Sequence, residues 1–189
     1  MRKKTKTMVG VGLLTAIVVV LQALAVTIPV GVFSLNLILV PIVVGAALYG
    51  IMTGAWLGFV SAVLILFTNS SAFLIVSIPG TIITVLGKGI LSGLLAGLVY
   101  NLLKKINLTV AVLTAAIVCP IVNTGVFVLG CLAFFMETIS TWASEGQFGS
   151  ATEYIFLGMI GTNFLIELAI SIVLSSTIVR IIQIGKNSR

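Results

Sequence analysis

The segment Asn163-Phe164-Leu165-Ile166-Glu167 lies inside an almost entirely apolar run that extends from Tyr154 to Ile182. Glu167 is one of four acidic residues in a chain of 189. A carboxylate at membrane depth is energetically costly, so it needs a cationic partner, a wet cavity or a proton. Lys88 is the only basic residue inside any other apolar run. The sequence therefore predicts a membrane protein in which Glu167 faces Lys88.

The composition supports this class. Hydrophobic residues make up 60% of the chain and charged residues 7%, whereas soluble domains carry about 25% charged residues. The apolar runs are long enough for helices, and the strands of a β-barrel would instead alternate apolar and polar residues. We expect an all-α, polytopic membrane protein with one integral membrane domain over residues 1–189. No glycine-rich phosphate loop is present, so the sequence does not predict ATP hydrolysis.

Six transmembrane helices are predicted, over residues about 8–28, 36–49, 54–67, 80–103, 108–135 and 154–182. The second and third are short, and one continuous kinked helix is the alternative there. The glycine spacing and the absence of charge favour two helices. The basic start and the first apolar run also resemble a signal peptide, but the length of that run and the later spans favour a transmembrane helix. Residues 68–79 and 136–153 are predicted as loops, and the apolar centre of the first either dips into the membrane or lies over a pocket.

The distribution of charge predicts the orientation. With six spans, every Lys and Arg outside the spans falls on one side, and the opposite side carries Glu137, Glu145 and Glu153. The positive-inside rule then places both termini in the cytoplasm, and we expect a multi-pass protein of a bacterial plasma membrane. The net charge of +6 does not indicate nucleic acid binding, because the basic residues cluster at the ends of spans.

Small residues recur every four positions in three of the predicted helices. These residues are Gly50, Gly54 and Gly58; Gly89, Gly93 and Gly97; and Gly12 and Ala16. Residues four apart share a helix face, and small ones allow helix backbones to approach closely in lipid. For most of these glycines we expect internal helix packing. For Gly12 and Ala16, a surface where another membrane protein docks is an equally good interpretation.

Polar residues form a stripe on each of the last three predicted helices. The candidate ligand-binding residues are Thr84 and Lys88 on the fourth predicted helix, Asn123 and Phe127 on the fifth, and Asn163 and Glu167 on the sixth. Phe134 lies further along the fifth helix and is a further aromatic candidate. Counted at helical rise, Lys88 lies roughly 12 Å from the outer end of its helix, and the Asn residues lie at a similar depth. Three consecutive helices therefore bring polar groups to one level in the outer half of the membrane.

Two interpretations of these polar groups at one membrane depth remain open. In one, Lys88 and Glu167 form a structural ion pair and the Asn residues hold helices together. In the other, the groups line a pocket that opens to the outside, where Lys88 meets a ligand and the aromatic residues contact its ring. Catalysis is not expected, because the chain has no His and no nucleophile–base pair. We also expect no cofactor and no metal, and we interpret Cys119 and Cys131 as buried thiols.

The sequence resembles the substrate-binding S components of energy-coupling factor (ECF) vitamin transporters. The run 40–58, which contains Pro41, Tyr49 and Trp56, is similar to helices of that family. The segments 123–127 and 163–167 are similar to them as well. The resemblance extends over nearly the whole chain. It implies a six-helix membrane protein that captures a micronutrient outside the cell.

The resemblance also implies the partners. An S component associates with a transmembrane T component and two cytoplasmic ATPase subunits, and it is thought to topple in the membrane to release its ligand. In the family, two alanines four apart on the first helix contact the T component, and Gly12 and Ala16 are the matching positions. The other implied partners are membrane lipid and a vitamin. Lys88 suits a carboxylate and the phenylalanines suit a ring, so pantothenate and riboflavin are the leads.

Two other functions remain as alternatives. A structural membrane scaffold would bind no small molecule with saturation. A self-sufficient secondary transporter would use Glu167 as a proton site and would need no ATPase.

Overall fold

The computed structural model describes residues 2–27 and 37–187. The helices in these two ranges are α1 (Arg2–Thr27), α2 (Leu39–Tyr49), α3 (Ile51–Thr68), α4 (Ser71–Val76), α5 (Ile78–Leu103), α6 (Leu108–Phe134), α7 (Met136–Glu145), α8 (Ala151–Glu153), a π-helix (Tyr154–Ile160) and α9 (Gly161–Asn187). No strand forms in the described ranges, which agrees with the predicted all-α class. The loop predicted over Pro29–Leu35, and the helix ends predicted at 28 and 36, lie outside these residues.

Five of the described helices are long and apolar enough to cross a membrane: α1, α3, α5, α6 and α9. The protein is therefore a polytopic membrane protein. α2 has 11 residues, fewer than the roughly 20 that a full crossing needs. The count of six full spans stays a prediction, since the residues before α2 are outside the described part of the chain.

The contacts of α1 define the path of the first three helices. The end of α2 lies beside the start of α1, because a Cβ added to Gly10 would meet the ring of Tyr49. Further along, Trp56 of α3 donates a hydrogen bond to Thr15 of α1. α2 thus returns to the end of the bundle where α1 starts, and α3 runs parallel to α1.

α2 and α3 are separate helices because Gly50 breaks the chain between them. Gly50 has φ +105°, a conformation that L side chains rarely adopt. The two helices then fold against each other, so that an added Cβ at Gly54 would lie 2.7 Å from the Cβ of Ala46. Gly50 is not one of the packing glycines, since nothing lies within 4 Å of a Cβ added there. Its role is to form the turn.

α3 and α5 cross at four glycines whose backbones touch. A Cβ on Gly54 would lie 2.6 Å from the carbonyl oxygen of Gly93, and one on Gly58 would overlap the carbonyl group of Gly89. The approach is equally close from the side of α5, because Cβ atoms added to Gly89 and Gly93 would meet the backbones of Gly58 and Gly54. Internal packing, as predicted for these glycines, is what the structure shows.

The main apolar core surrounds α2 in the half of the bundle that holds the chain termini. Seven of the eleven residues of α2 are buried, and the core around them includes Val18, Leu57, Val112 and Ile178 from four other helices. Cys119 belongs to this core and Cys131 to a smaller cluster at the opposite end. Both cysteines are buried and unpaired.

Three sequence expectations at the opposite end need correction. The loop predicted over 68–79 contains α4, and the loop predicted over 136–153 contains α7 and α8. The last predicted helix, 154–182, is not continuous. It is a π-helix as far as Ile160, and α9 begins at Gly161, where φ is +20°. Short amphipathic segments and a change of helix type leave little trace in hydropathy.

The helix directions separate the charges. The start of α1, the turn between α5 and α6 and the last turns of α9 share one end, and they carry Lys4, Lys6, Lys104, Lys105 and Arg180. Glu137, Glu145 and Glu153 lie in α7 and α8 at the other end. A cytoplasmic location of this basic end stays a prediction of the positive-inside rule.

Candidate functional site

A cavity of 340 Å³ lies among the helices at the end that carries the glutamates. Ligand pockets in proteins range from about 300 to 1,000 Å³, so the volume suits a small molecule. Residues from α1, α3, α4, α5, α6, the π-helix and α9 line it. They are Gln22, Ala25, Ile65, Asn69, Ser70, Phe73, Thr81, Thr84, Val85, Lys88, Asn123, Thr124, Phe127, Phe135, Met159, Ile160, Asn163, Phe164 and Glu167.

Apart from Phe134, the residues that the sequence singled out as candidate ligand contacts all line this one cavity. They are Thr84, Lys88, Asn123, Phe127, Asn163 and Glu167. The spacing along α5 and α6 explains how they meet. The two helices are antiparallel neighbours, and Gly130 of α6 leaves room for the side chain of Thr84, which a Cβ at position 130 would overlap.

Lys88 is the basic residue of the cavity, and two neighbours stabilise its charge. Its Nζ lies 5.1 Å from the centroid of the Phe127 ring, within the range of a cation–π interaction. Glu167, which is only 7% exposed, interacts electrostatically with Lys88 from α9. The predicted proximity of the two charges is therefore present, and the aromatic neighbour adds to it.

Two polar atoms of the cavity lining are buried without a hydrogen-bond partner among the described residues. They are Oγ1 of Thr84 and Oδ1 of Asn163. A buried polar atom left unsatisfied costs about 1–3 kcal/mol, and such atoms in native proteins call for an explanation. Both residues belong to the lining of the cavity.

Phe73 covers the cavity from α4. Its ring makes edge-to-face contacts with three aromatic rings, at centroid distances of 5.9 Å to Phe127, 5.0 Å to Phe135 and 5.6 Å to Trp142. Of the two possibilities for residues 73–76, lying over a pocket is the one that the structure shows for Phe73. Phe134, expected to face the ligand, is instead 45% exposed and does not line the cavity, whereas Phe135 does.

Gln22 is the most informative residue that sequence analysis missed. It lies near the end of α1, is 5% exposed and lines the cavity. Its Nε2 donates hydrogen bonds to Oγ1 of Thr68, at 3.0 Å, and to Oδ1 of Asn69, at 3.2 Å. An amide side chain within a largely apolar first helix was the feature of the sequence that could have indicated a role for Gln22. Asn69 and Ser70, which follow α3, also line the cavity.

The predicted partner-binding residues lie away from the cavity. Gly12 and Ala16 are both exposed on α1, and nothing lies within 4 Å of a Cβ added to Gly12. Gly10, two residues earlier, instead packs against Tyr49. The small-residue face of α1 is therefore not used for packing within the described part of the chain.

The bundle is that of a polytopic membrane protein with a cavity of a size that suits a small molecule. Residues 6–179 match the family described as the ECF transporter, substrate-specific component. The chain belongs to this family, whose members are the substrate-binding subunits of ECF transporters. Comparison with curated proteins and with solved structures gives no match.

Proposed function

We propose that this protein captures a vitamin or related micronutrient from outside the cell and delivers it through an ECF-type importer with a T component and two ATPase subunits. The observation that carries the proposal is the cavity itself. It combines one Lys–Glu pair, a set of aromatic walls and two unsatisfied polar atoms. It lies at the end of the bundle that the charge distribution assigns to the outside.

The polar atoms support binding rather than chemistry. Lys88, Asn123 and Asn163 supply hydrogen-bonding groups, and Phe127 supplies an apolar face. Pockets of this kind orient a ligand through a few placed polar groups. Glu167 has Lys88 as its electrostatic partner, so we assign it the role of holding Lys88 in place.

Native mass spectrometry of the protein purified in detergent tests the capture function. We expect a small molecule to co-purify with the wild-type protein and to be lost from Lys88→Ala. Lys105→Ala is the matched control, because Lys105 is exposed in the turn at the opposite end of the bundle. Retention of the molecule in Lys88→Ala, or absence of any ligand together with no binding from a vitamin panel, would contradict the proposal.

A second variant, Thr84→Val, distinguishes loss of ligand binding from loss of folding. The substitution removes an unsatisfied buried hydroxyl while keeping the shape of the side chain, so thermal stability of the free protein should not fall. Ligand affinity should fall by roughly tenfold, the effect of one hydrogen bond of about 1.4 kcal/mol. An unchanged dissociation constant would remove Thr84 from the site.

The exposed face of α1 supports the assignment of Gly12 and Ala16 to partner binding. Gly12→Leu should leave ligand binding intact and abolish ATP-driven uptake by the assembled transporter, because a bulky side chain would block close helix contact. Gly125→Leu is the control, since that glycine of α6 is also open to its surroundings. Uptake by this chain alone in liposomes, driven by an ion gradient, would favour a secondary transporter instead.

A further inference from the structure

The charges that line the cavity balance each other. Among the described residues, Lys88 and Glu167 are the only charged side chains of its lining. The undescribed segment 28–36 contains no Asp, Glu, Lys or Arg, so it adds no charge wherever it lies. The pair carries no net charge whether the proton resides on one residue or the other.

Among the described residues of the cavity lining, no second cation is present to neutralise an anionic ligand. Lys4, Lys6, Lys104, Lys105 and Arg180 lie at the opposite end of the bundle. A ligand with a net charge would therefore bring an uncompensated charge into a site at membrane depth. Such a charge is strongly disfavoured there.

The unsatisfied atoms restrict the ligand further. Oδ1 of Asn163 is an acceptor without a hydrogen-bond partner among the described residues, and a donor group on the ligand would satisfy it. The ammonium of Lys88 has donors only, so it needs an acceptor. An ionised carboxylate is an acceptor only, so it can accept from Lys88 but cannot donate to Oδ1 of Asn163. An amide, lactam or ureide edge carries both kinds of group.

We infer that the ligand is a small ring compound without net charge at neutral pH, which presents an adjacent donor and acceptor to Asn163 and Lys88 and its apolar part to Phe127 and Phe73. This inference rests on the proposed capture function and deepens it. It favours an uncharged ring compound such as riboflavin over a carboxylate such as pantothenate.

Matched pairs of probes test the inference by isothermal titration of the purified protein. The pairs are nicotinamide and nicotinate, pantothenol and pantothenate, and riboflavin and riboflavin 5′-phosphate. In any pair that binds, the uncharged member should bind more tightly, by on the order of 100-fold, from the cost of an unpaired charge at membrane depth. Equal or tighter binding of the anionic member would overturn the inference and leave the capture function standing.

Charge variants provide the second arm. Glu167→Gln leaves the charge of Lys88 uncompensated, so the preference should move toward the anionic member by at least tenfold, and Lys88→Gln should move it away from anions. Monodisperse elution in size exclusion shows that each variant is folded. An unchanged preference in Glu167→Gln would overturn the inference.

The formula of the co-purified molecule, obtained by mass spectrometry, gives its charge at neutral pH directly. A net charge would overturn the inference alone. If no molecule co-purifies and no probe binds, the capture function fails and the inference fails with it.

Discussion

Replacing Phe73 with alanine should release the cover of the cavity. α4 has no fully buried residue, and its ring contacts to the rest of the protein come from Phe73. Each edge-to-face aromatic pair contributes about 0.5–1.5 kcal/mol beyond the area that it buries. Because the three pairs share one ring, they are not additive. We take about 1.5 kcal/mol, the upper value for a single pair, as the loss, which corresponds to roughly a tenfold change in an equilibrium constant.

This loss should appear mainly in the rate at which ligand leaves. In Phe73→Ala, α4 remains closed for a smaller fraction of the time, so the dissociation rate constant should rise by roughly tenfold or more. The measurement is a chase of labelled ligand from detergent-purified protein with excess unlabelled ligand. The ligand is the molecule identified by native mass spectrometry.

Ile75→Ala is the matched control for this prediction. Ile75 lies in the same short helix but is 87% exposed, so its removal should leave the dissociation rate unchanged. The reasoning is refuted if Phe73→Ala releases ligand at the wild-type rate. It is equally refuted if Ile75→Ala accelerates release as much as Phe73→Ala does.

Three further predictions concern stability and are checked by thermal unfolding in detergent. Gly89→Ala should lower the melting temperature by several degrees because its methyl group would enter the backbone of α3, whereas Gly125→Ala, in open space, should not lower it. Asn107→Ala removes both hydrogen bonds to the first turn of α6 and should cost about 1 kcal/mol, and the exposed Asn101→Ala should cost nothing. Gln22→Ala removes the two hydrogen bonds that join α1 to the end of α3 and should cost about 1–2 kcal/mol. If Gly89→Ala, Asn107→Ala or Gln22→Ala unfolds at the wild-type temperature, the packing or hydrogen bonds assigned to that residue are contradicted.

The residues of the cavity walls were predictable because they follow the four-residue spacing that places side chains on one face of a helix. Thr84 with Lys88, Asn123 with Phe127 and Asn163 with Glu167 are each four residues apart, so each pair shares a helix face whatever the packing around it. Charge distribution similarly supplied the orientation. Long helices with polar stripes therefore carry most of the information about this site in the sequence.

The cover and the far wall were not predictable in the same way. α4 has six residues, too few for a periodic pattern, and the role of Phe73 depends on rings from α6 and α7 that are distant in sequence. The choice of Phe135 over Phe134 depends on where α6 ends, because the following residue leaves the helix and turns inward. Gln22 reaches the cavity only because α1 packs beside α3.

The π-helix before α9 sets the rotational register of that wall. Tyr154–Ile160 is wound more widely than an α-helix, and Met159 and Ile160 at its end line the cavity together with Asn163 and Glu167. In an α-helix each residue adds a rotation of about 100°. A π-helix turns less per residue, so the seven residues of this segment present their side chains in other directions than an α-helix of the same length would. The winding of this segment, as much as its side chains, therefore determines where Met159 and Ile160 meet the cavity.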